Sequence, residues 1–205
     1  MKISLEHIAK KFQRYWIFKD ITYIFSAPGS YALLGPNGSG KSTLLRLVGG
    51  MQNPSKGTVV HEHNGRSIAD EGIFEHISYC APGMEIIEEL TLREYLEFHF
   101  NFKKLLPGLS VSNITDTIGL QEAADKPIGD YSSGMKQRVK LAQAIFADTP
   151  ALLLDEPCTN LDQAGVSQYL GWMDQYSRQR LVIVASNDER EYSFCKEQIR
   201  VEDFK

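Results

Sequence analysis

Two apolar periods alternate along the chain, and that alternation predicts its elements. Lys2 to His7 alternates apolar with polar, Ile17 to Phe25 follows a turn, and residues 1 to 34 read together as strands. Pro28-Gly29 marks a further turn, and Ser30-Tyr31-Ala32-Leu33-Leu34 is a short apolar run suited to a buried strand. After the stretch GPNGSGKST, Leu44, Leu45, Leu47 and Val48 recur at helical spacing, and Gly49-Gly50 ends that helix. Thr58 to His61 and Ile77 to Cys80 are short strand candidates. A helix is expected over Leu92 to Lys104, with an apolar stripe of Leu92, Tyr95, Leu96, Phe98 and Phe102. Further helices are expected over Ser112 to Ile118 and over Gly134 to Ala147, where Val139, Leu141, Ala142 and Ile145 share one side. Strand Ala151 to Leu154 runs into Asp155-Glu156-Pro157, and helix Ala164 to Arg178 leads to strand Leu181 to Ala185. Strands alternating with helices predict an α/β fold with a mainly parallel sheet, into which the helix-rich residues 84 to 130 are inserted.

Composition narrows the class. A chain of 205 residues with 42% apolar content can bury one good core without a metal or disulfide. The net charge of -4 offers no basic surface for nucleic acid, so no nucleic-acid partner is expected. Cys80, Cys158 and Cys195 are scattered, which argues against a zinc site and suits a reducing cytosol. No run of about 18 apolar residues occurs, and MKISLEHIAKKF lacks the apolar centre of a signal peptide.

Two motifs carry chemistry. Gly35, Pro36, Asn37, Gly38, Ser39, Gly40, Lys41 and Ser42 fit G-x-x-x-x-G-K-[ST], with Thr43 next. The glycines permit positive φ, so successive backbone N–H groups can converge on an anion at a helix N-terminus. Lys41 is placed to reach the β- and γ-phosphates, and Ser42 offers a hydroxyl to Mg²⁺. Apolar residues before and after supply the strand and helix this motif requires. Downstream, Asp155 and Glu156 stand at the end of a buried strand. Beside a phosphate loop, Asp155 is the Mg²⁺ carboxylate and Glu156 the base that orients and deprotonates the attacking water.

With Tyr131-Ser132-Ser133-Gly134-Met135-Lys136-Gln137-Arg138 just before that strand, the sequence resembles the nucleotide-binding subunit of an ABC transporter. The segment is similar to the family's L-S-G-G-Q signature followed by a basic helix. Ser133 stands for the first Gly and Met135 for Gln, a form closest to exporter-type ATPases. The resemblance covers nearly all of the chain. It implies a P-loop NTPase with a parallel core, an N-terminal antiparallel β lobe and a small helical lobe at about 84–147, in one domain over 1–205. It implies ATP and Mg²⁺, and a second ATP-binding subunit in an ATP-driven dimer, most simply a homodimer. In that dimer Ser132, Ser133 and Gly134 cap the opposite γ-phosphate. Asp162, in Thr159-Asn160-Leu161-Asp162, lies at the interface, and Phe12 stacks on adenine, with Tyr15 and Trp16 as alternatives. It further implies a membrane-spanning partner docking near Met84 to Leu92, a cytoplasmic, peripheral position on the inner face of the plasma membrane, and no appended regulatory domain.

Two positions depart from that pattern. Where the family carries a Gln that contacts Mg²⁺ and water, Ile77-Ser78-Tyr79-Cys80-Ala81 leads to Pro82, and no Gln occurs between Gln52 and Gln121. Water, or one of Glu85, Glu88 and Glu89, is left to complete the site. Where the family carries a His that hydrogen-bonds the γ-phosphate, the chain has Asn187, and all five histidines precede residue 100. An Asn amide donates but carries no charge and relays no proton. Asn187 is therefore expected to serve as a changed catalytic switch. These departures also admit a second function, an ATP-dependent clamp or regulator with slow hydrolysis.

Overall fold

A turn at Gln13-Arg14 folds the chain back on itself within its first 26 residues. The computed structural model describes all 205 residues. β1 (Lys2–Phe12) pairs antiparallel with β2 (Tyr15–Ser26). β3 (Gly29–Leu34) leads through the glycine-rich stretch into α1 (Lys41–Val48). Next come β4 (Lys56–His63), β5 (Arg66–Ser67), α2 (Ile73–His76) and β6 (Ile77–Cys80). A helical segment holds α3 (Leu92–Phe102), α4 (Val111–Thr117) and α5 (Ser133–Ile145). The chain ends with β7 (Ala151–Asp155), α6 (Gln163–Tyr176), β8 (Leu181–Ala185), α7 (Glu189–Tyr192) and β9 (Glu197–Arg200).

The strands form two sheets. One is antiparallel, in the order β2-β1-β4-β5, and the other parallel, in the order β6-β7-β8-β3-β9. All residues of β7 and β8 are buried, as a parallel sheet covered on both faces requires. Alternate residues supply two cores. Leu153 and Ile183 join Ile3, Phe18 and Phe25 of the antiparallel sheet around Leu45 of α1. Leu152, Leu154, Val182 and Val184 face the opposite way, onto Leu96 of α3, Val139 and Leu141 of α5 and Tyr169 of α6.

The helical segment starts where local chemistry dictates. Thr91 and Glu94 form a reciprocal cap on α3, and Ser110 and Asn113 do the same on α4. The stripe expected on α3 needs correction. Leu92, Tyr95 and Leu96 are buried, but Phe98 is 47% and Phe102 67% exposed. The two rings lie 5.2 Å apart, edge to face, on the outer side of the helix. β5, α2, α7 and β9 were not visible in the apolar pattern. β9 reads Glu-Gln-Ile-Arg and buries only Ile199, because it is an edge strand beside β3.

His99 couples α3 to α5: its Nε2 lies 3.2 Å from the Gln143 carbonyl. Burial, reinforced by the nearby Lys103 cation, lowers its pKa to about 4. The folded chain then binds fewer protons than the unfolded one between the folded value and the ordinary 6.5. Stability is full above that window and falls as pH drops through it. Moving from pH 7 to pH 5 should cost the parent about 1–2 kcal/mol more than it costs His99→Leu, after discounting for partial solvent screening. Urea unfolding of both chains at the two pH values measures the difference.

Candidate functional site

Glycine geometry builds the phosphate loop between β3 and α1. Gly38 has φ of 79° and Gly40 of 107°, a region closed to most side chains. A Cβ on Gly40 would stand 2.5 Å from Cγ2 of Ile17, so the loop is pressed against β2. Lys41 is folded back, its Nζ donating to the Gly35 carbonyl at 2.6 Å and to the Pro36 carbonyl at 3.3 Å. The Ser39 hydroxyl is buried and has no hydrogen-bond partner. A cationic side chain held only by neutral carbonyls and an unspent buried hydroxyl are the features of a cradle built for an anion.

A cavity of about 350 Å³ opens beside this loop, lined by Ser42, Arg46, Tyr79, Pro82, Asp155 and Glu156 among others. The Ser42 hydroxyl donates to Asp155 Oδ1 at 2.9 Å. Burial, more than any neighbour, raises the Asp155 pKa; the Ser42 bond and the Arg46 and Lys41 cations act against it. A hydroxyl and a buried carboxylate in contact form the hard oxygen donor set that Mg²⁺ takes, with room left for water. Glu156 has φ of 43°, left-handed for a residue with a Cβ, and its N–H donates to the Ala185 carbonyl at 2.9 Å. Such a conformation costs on the order of 1–3 kcal/mol and persists only where surroundings enforce it.

Pro82 lines the cavity, but none of Glu85, Glu88 and Glu89 does. Glu88 is paired with Lys136 at 2.7 Å. The unexpected groups here are Arg46 and Tyr79. The Tyr79 hydroxyl is buried beside Arg46 without a well-formed hydrogen bond. The Pro82 carbonyl is engaged by Lys140 of α5, whose Nζ donates to it at 2.7 Å.

Asn187 is at the phosphate loop: its Nδ2 donates to Asn37 Oδ1 at 3.0 Å. Other expected site residues stand apart from the cavity. Ser132 caps α5, its hydroxyl accepting the Met135 N–H at 3.3 Å, and Ser132 and Ser133 are exposed. Gly134 lies close under the next loop, where an added Cβ would stand a tight 3.0 Å from the Asn160 carbonyl. Asp162 caps α6 by accepting the Gly165 N–H at 2.8 Å. Phe12 pairs across the hairpin with Tyr15, while Trp16 pairs with Lys11. Adjacent pairs face opposite sides of a ribbon, so Trp16 is turned away from Phe12. Its indole lies under Lys11 and Lys56, at 5.4 and 5.6 Å. Phe12 shares its side with Lys10, whose ammonium stands 5.3 Å from the ring centre, and a bulge between Lys10 and Lys11 breaks the regular alternation before Phe18.

A phosphate loop, an aspartate–glutamate pair at a strand end of the same parallel sheet and a capped Ser-Ser-Gly helix on a two-sheet scaffold define an ATPase cassette. The profile described as ABC transporter matches residues 18–159. YxlF of Bacillus subtilis, an uncharacterized ABC transporter ATP-binding protein, is 32% identical over 192 residues, covering 90% of this chain and 62% of YxlF. The cytochrome c biogenesis ATP-binding export protein CcmA of Rhizobium etli is 31% identical over 194 residues, covering 92% of this chain and 89% of CcmA. An ATP-binding cassette solved as a dimer after hydrolysis, with ADP and Pi, superposes with a TM-score of 0.83 at 22% identity, covering 98% of this chain and 94% of that one. That likeness concerns the fold. The chain belongs to the ABC transporter family.

Asp155 carries a testable cost. Its pKa is raised in the folded state, so the charged form present at neutral pH is disfavoured by folding, and that penalty vanishes as pH falls below its ordinary range. Asp155→Asn keeps an oxygen for Ser42 without burying a charge. It should raise the thermal midpoint of the nucleotide-free chain at pH 7, with the gain shrinking at pH 4. Scanning calorimetry at both pH values checks this.

Proposed function

We propose that this chain is an ATP-hydrolysing subunit that powers transport through a separate membrane-spanning partner. The observation that carries the reading is convergence. Lys41, Ser42, Asp155, Glu156 and Asn187 come from three parallel strand ends, and hydrogen bonds at 2.9 and 3.0 Å tie Ser42 to Asp155 and Asn187 to Asn37. The loop residues Gly35, Pro36, Asn37, Gly38, Ser39, Gly40 and Thr43 cradle the phosphates. Lys41 exchanges its carbonyl partners for the β- and γ-phosphate oxygens, which bind a cation more strongly than neutral carbonyls do. Ser42 and Asp155 hold Mg²⁺, which when bound neutralises charge on the phosphates. Glu156, held in its left-handed conformation, orients the attacking water and accepts its proton. Asn187 donates one amide N–H to the γ-phosphate, releasing Asn37 or using its second N–H.

Phe12 is assigned to the adenine, since Trp16 faces the other side of the hairpin. Ser132, Ser133 and Gly134 are assigned to the γ-phosphate of a second copy, because an exposed Ser at a helix N-terminus offers donors to an anion. Asp162 is assigned to the same interface. No helix is long and apolar enough to cross a membrane, and the spanning role is assigned to the partner. The partner is assigned to the segment from Met84 to Leu92, where Ile87 is 41% exposed. The reading puts the chain on the inner face of the plasma membrane.

Glu156→Gln should lower kcat by at least about 100-fold while ATP affinity stays within about threefold, because binding rests on the loop and the base acts only in the reaction. Steady-state phosphate release and nucleotide titration read the two effects. Equal turnover in parent and variant would remove Glu156 as base and favour the clamp.

Asn187→Ala should slow turnover by about 10-fold with little change in ATP affinity, the scale of one hydrogen bond to a charged group. The parent's kcat against pH should show no inflection near the ordinary histidine value of about 6.5. Asn187→His should introduce one. A variant Asn187→Ala that hydrolyses like the parent would reduce Asn187 to a strand end.

A further inference from the structure

One buried glutamate joins the loop after β7, through its carboxylate, to the turn after β8, through its main chain, and none of the roles above uses it. Glu191, on α7, is 4% exposed. Its Oε1 accepts the backbone N–H of Cys158 at 2.7 Å. The Ser186 hydroxyl, one residue before Asn187, closes the turn on itself: it accepts the Asp188 N–H at 2.9 Å and donates to the Asp188 carbonyl at 3.5 Å. The backbone of Glu191 is fixed as well. Its N–H donates to the Asp188 carbonyl at 2.9 Å, and the Tyr169 hydroxyl donates to its own carbonyl at 2.9 Å.

The consequence falls on Glu156. Its N–H is held by the Ala185 carbonyl, and two residues later the Cys158 N–H is held by Glu191. Between them stands Pro157, whose ring fixes φ and makes the link stiff. Glu156, in a left-handed conformation it would not keep unaided, is therefore fixed from both sides. Both fixing groups belong to the segment that also carries Asn187. A carboxylate is a stronger acceptor for a backbone N–H than an amide, which gives a reason for a charge where burial disfavours one.

We propose that Glu191 is a positioning residue for hydrolysis: its carboxylate holds the Cys158 backbone while its own N–H holds the Ser186–Asp188 turn, and the two together keep Glu156 and Asn187 in one frame. This rests on the reading of Glu156 as the base. It gives Glu191 no contact with ATP and no part in proton transfer.

The test compares Glu191→Ala, Glu191→Asp and Glu191→Gln with Glu156→Gln in steady-state hydrolysis. It also follows iodoacetamide labelling of Cys158 by peptide mass spectrometry, since that thiol is 9% exposed while the loop is held. Glu191→Ala and Glu191→Asp, which lose the acceptor or its reach, should lower kcat by about 10- to 100-fold, the scale of an ångström misplacement. Their KM for ATP should stay within about threefold. Cys158 labelling should rise by about tenfold, the scale on which a weakened loop contact exposes its backbone. Glu191→Gln keeps an oxygen at the same reach. It should recover kcat to within about threefold of the parent and keep Cys158 protected, because a neutral acceptor forfeits only part of a charged hydrogen bond.

Parental kcat in both shortened variants, alongside an inactive Glu156→Gln, would make Glu191 a packing residue and overturn the inference alone. Labelling that rises equally in Glu191→Gln would also overturn it, since the carboxylate's charge rather than its bond would then guard the thiol. If Glu156→Gln hydrolyses at the parental rate, the base assignment fails first, and the frame has nothing to position. Should Glu191→Ala fail to fold, Glu191→Asp and Glu191→Gln still separate the outcomes.

Discussion

The register of three parallel strands is the constraint on which the rest depends. Leu33 of β3 and Asp155 of β7 both lie opposite Ala185 of β8. All three strands therefore end at one level, and whatever follows each emerges at the same edge. The phosphate loop follows β3, Glu156 follows β7, and Ser186-Asn187 follows β8. A slip of one strand by one residue would turn its apolar side chains to the wrong core and carry its polar end out of reach. The buried faces enforce the register, since Leu152 and Leu154 fit one core and Leu153 the other. Site geometry is in this sense a by-product of hydrophobic packing.

That packing must carry a load at the same edge. Asp155 is buried as a carboxylate, Glu156 sits at positive φ, and Ser39 keeps a buried hydroxyl without a partner. Each feature costs on the order of 1–3 kcal/mol in isolation. None contributes to folding, and each is what an anion, a metal or a water would need to find prepared. Fully buried Leu152, Leu153, Val184 and Ile183 lie directly beneath. Burial of a few such side chains, at about 1.5–3 kcal/mol each, is of the size required to hold the strained groups in place.

The parts legible in the sequence are those where one local rule dominates. The phosphate loop and the carboxylate pair read directly because their spacing admits few other uses, and β7 and β8 read directly because unbroken apolar runs are rare. The α3 stripe misled at Phe98 and Phe102, since helical spacing alone does not say how wide the covered face is. β9 escaped because an edge strand can be polar on both sides. Arg46, Tyr79 and Lys140 meet in or beside the cavity from α1, β6 and α5, a convergence that no local pattern encodes. Glu191, in Asp-Glu-Arg-Glu-Tyr, carries no local sign of burial, and it is buried where α7 meets Tyr169 of α6 and the loop after β7. Of the three aromatics of the hairpin, cross-strand pairing turns Trp16 away from Phe12 and leaves Tyr15 directly opposite Phe12, which no local pattern in the sequence distinguishes.

Pro82 shows how a residue without a polar side chain can still be anchored at the cavity edge. A proline brings no polar side chain to the cavity, and it has no N–H to give. Its carbonyl is instead held by Lys140 of α5, while Lys136, one turn earlier on the same helix, reaches Glu88. The two contacts differ in weight. Glu88 is about half exposed, so its ion pair contributes at most about 1 kcal/mol. The Lys140 bond is partly buried and charge-assisted, the kind that contributes about 1.5–3 kcal/mol. The segment that leaves β6 is thereby fastened to the helix that Ser132 caps. It cannot shift by much without carrying α5 along or breaking the stronger of the two bonds. The direct tie between the cavity edge and the Ser-Ser-Gly helix is thus a lysine and a main-chain carbonyl.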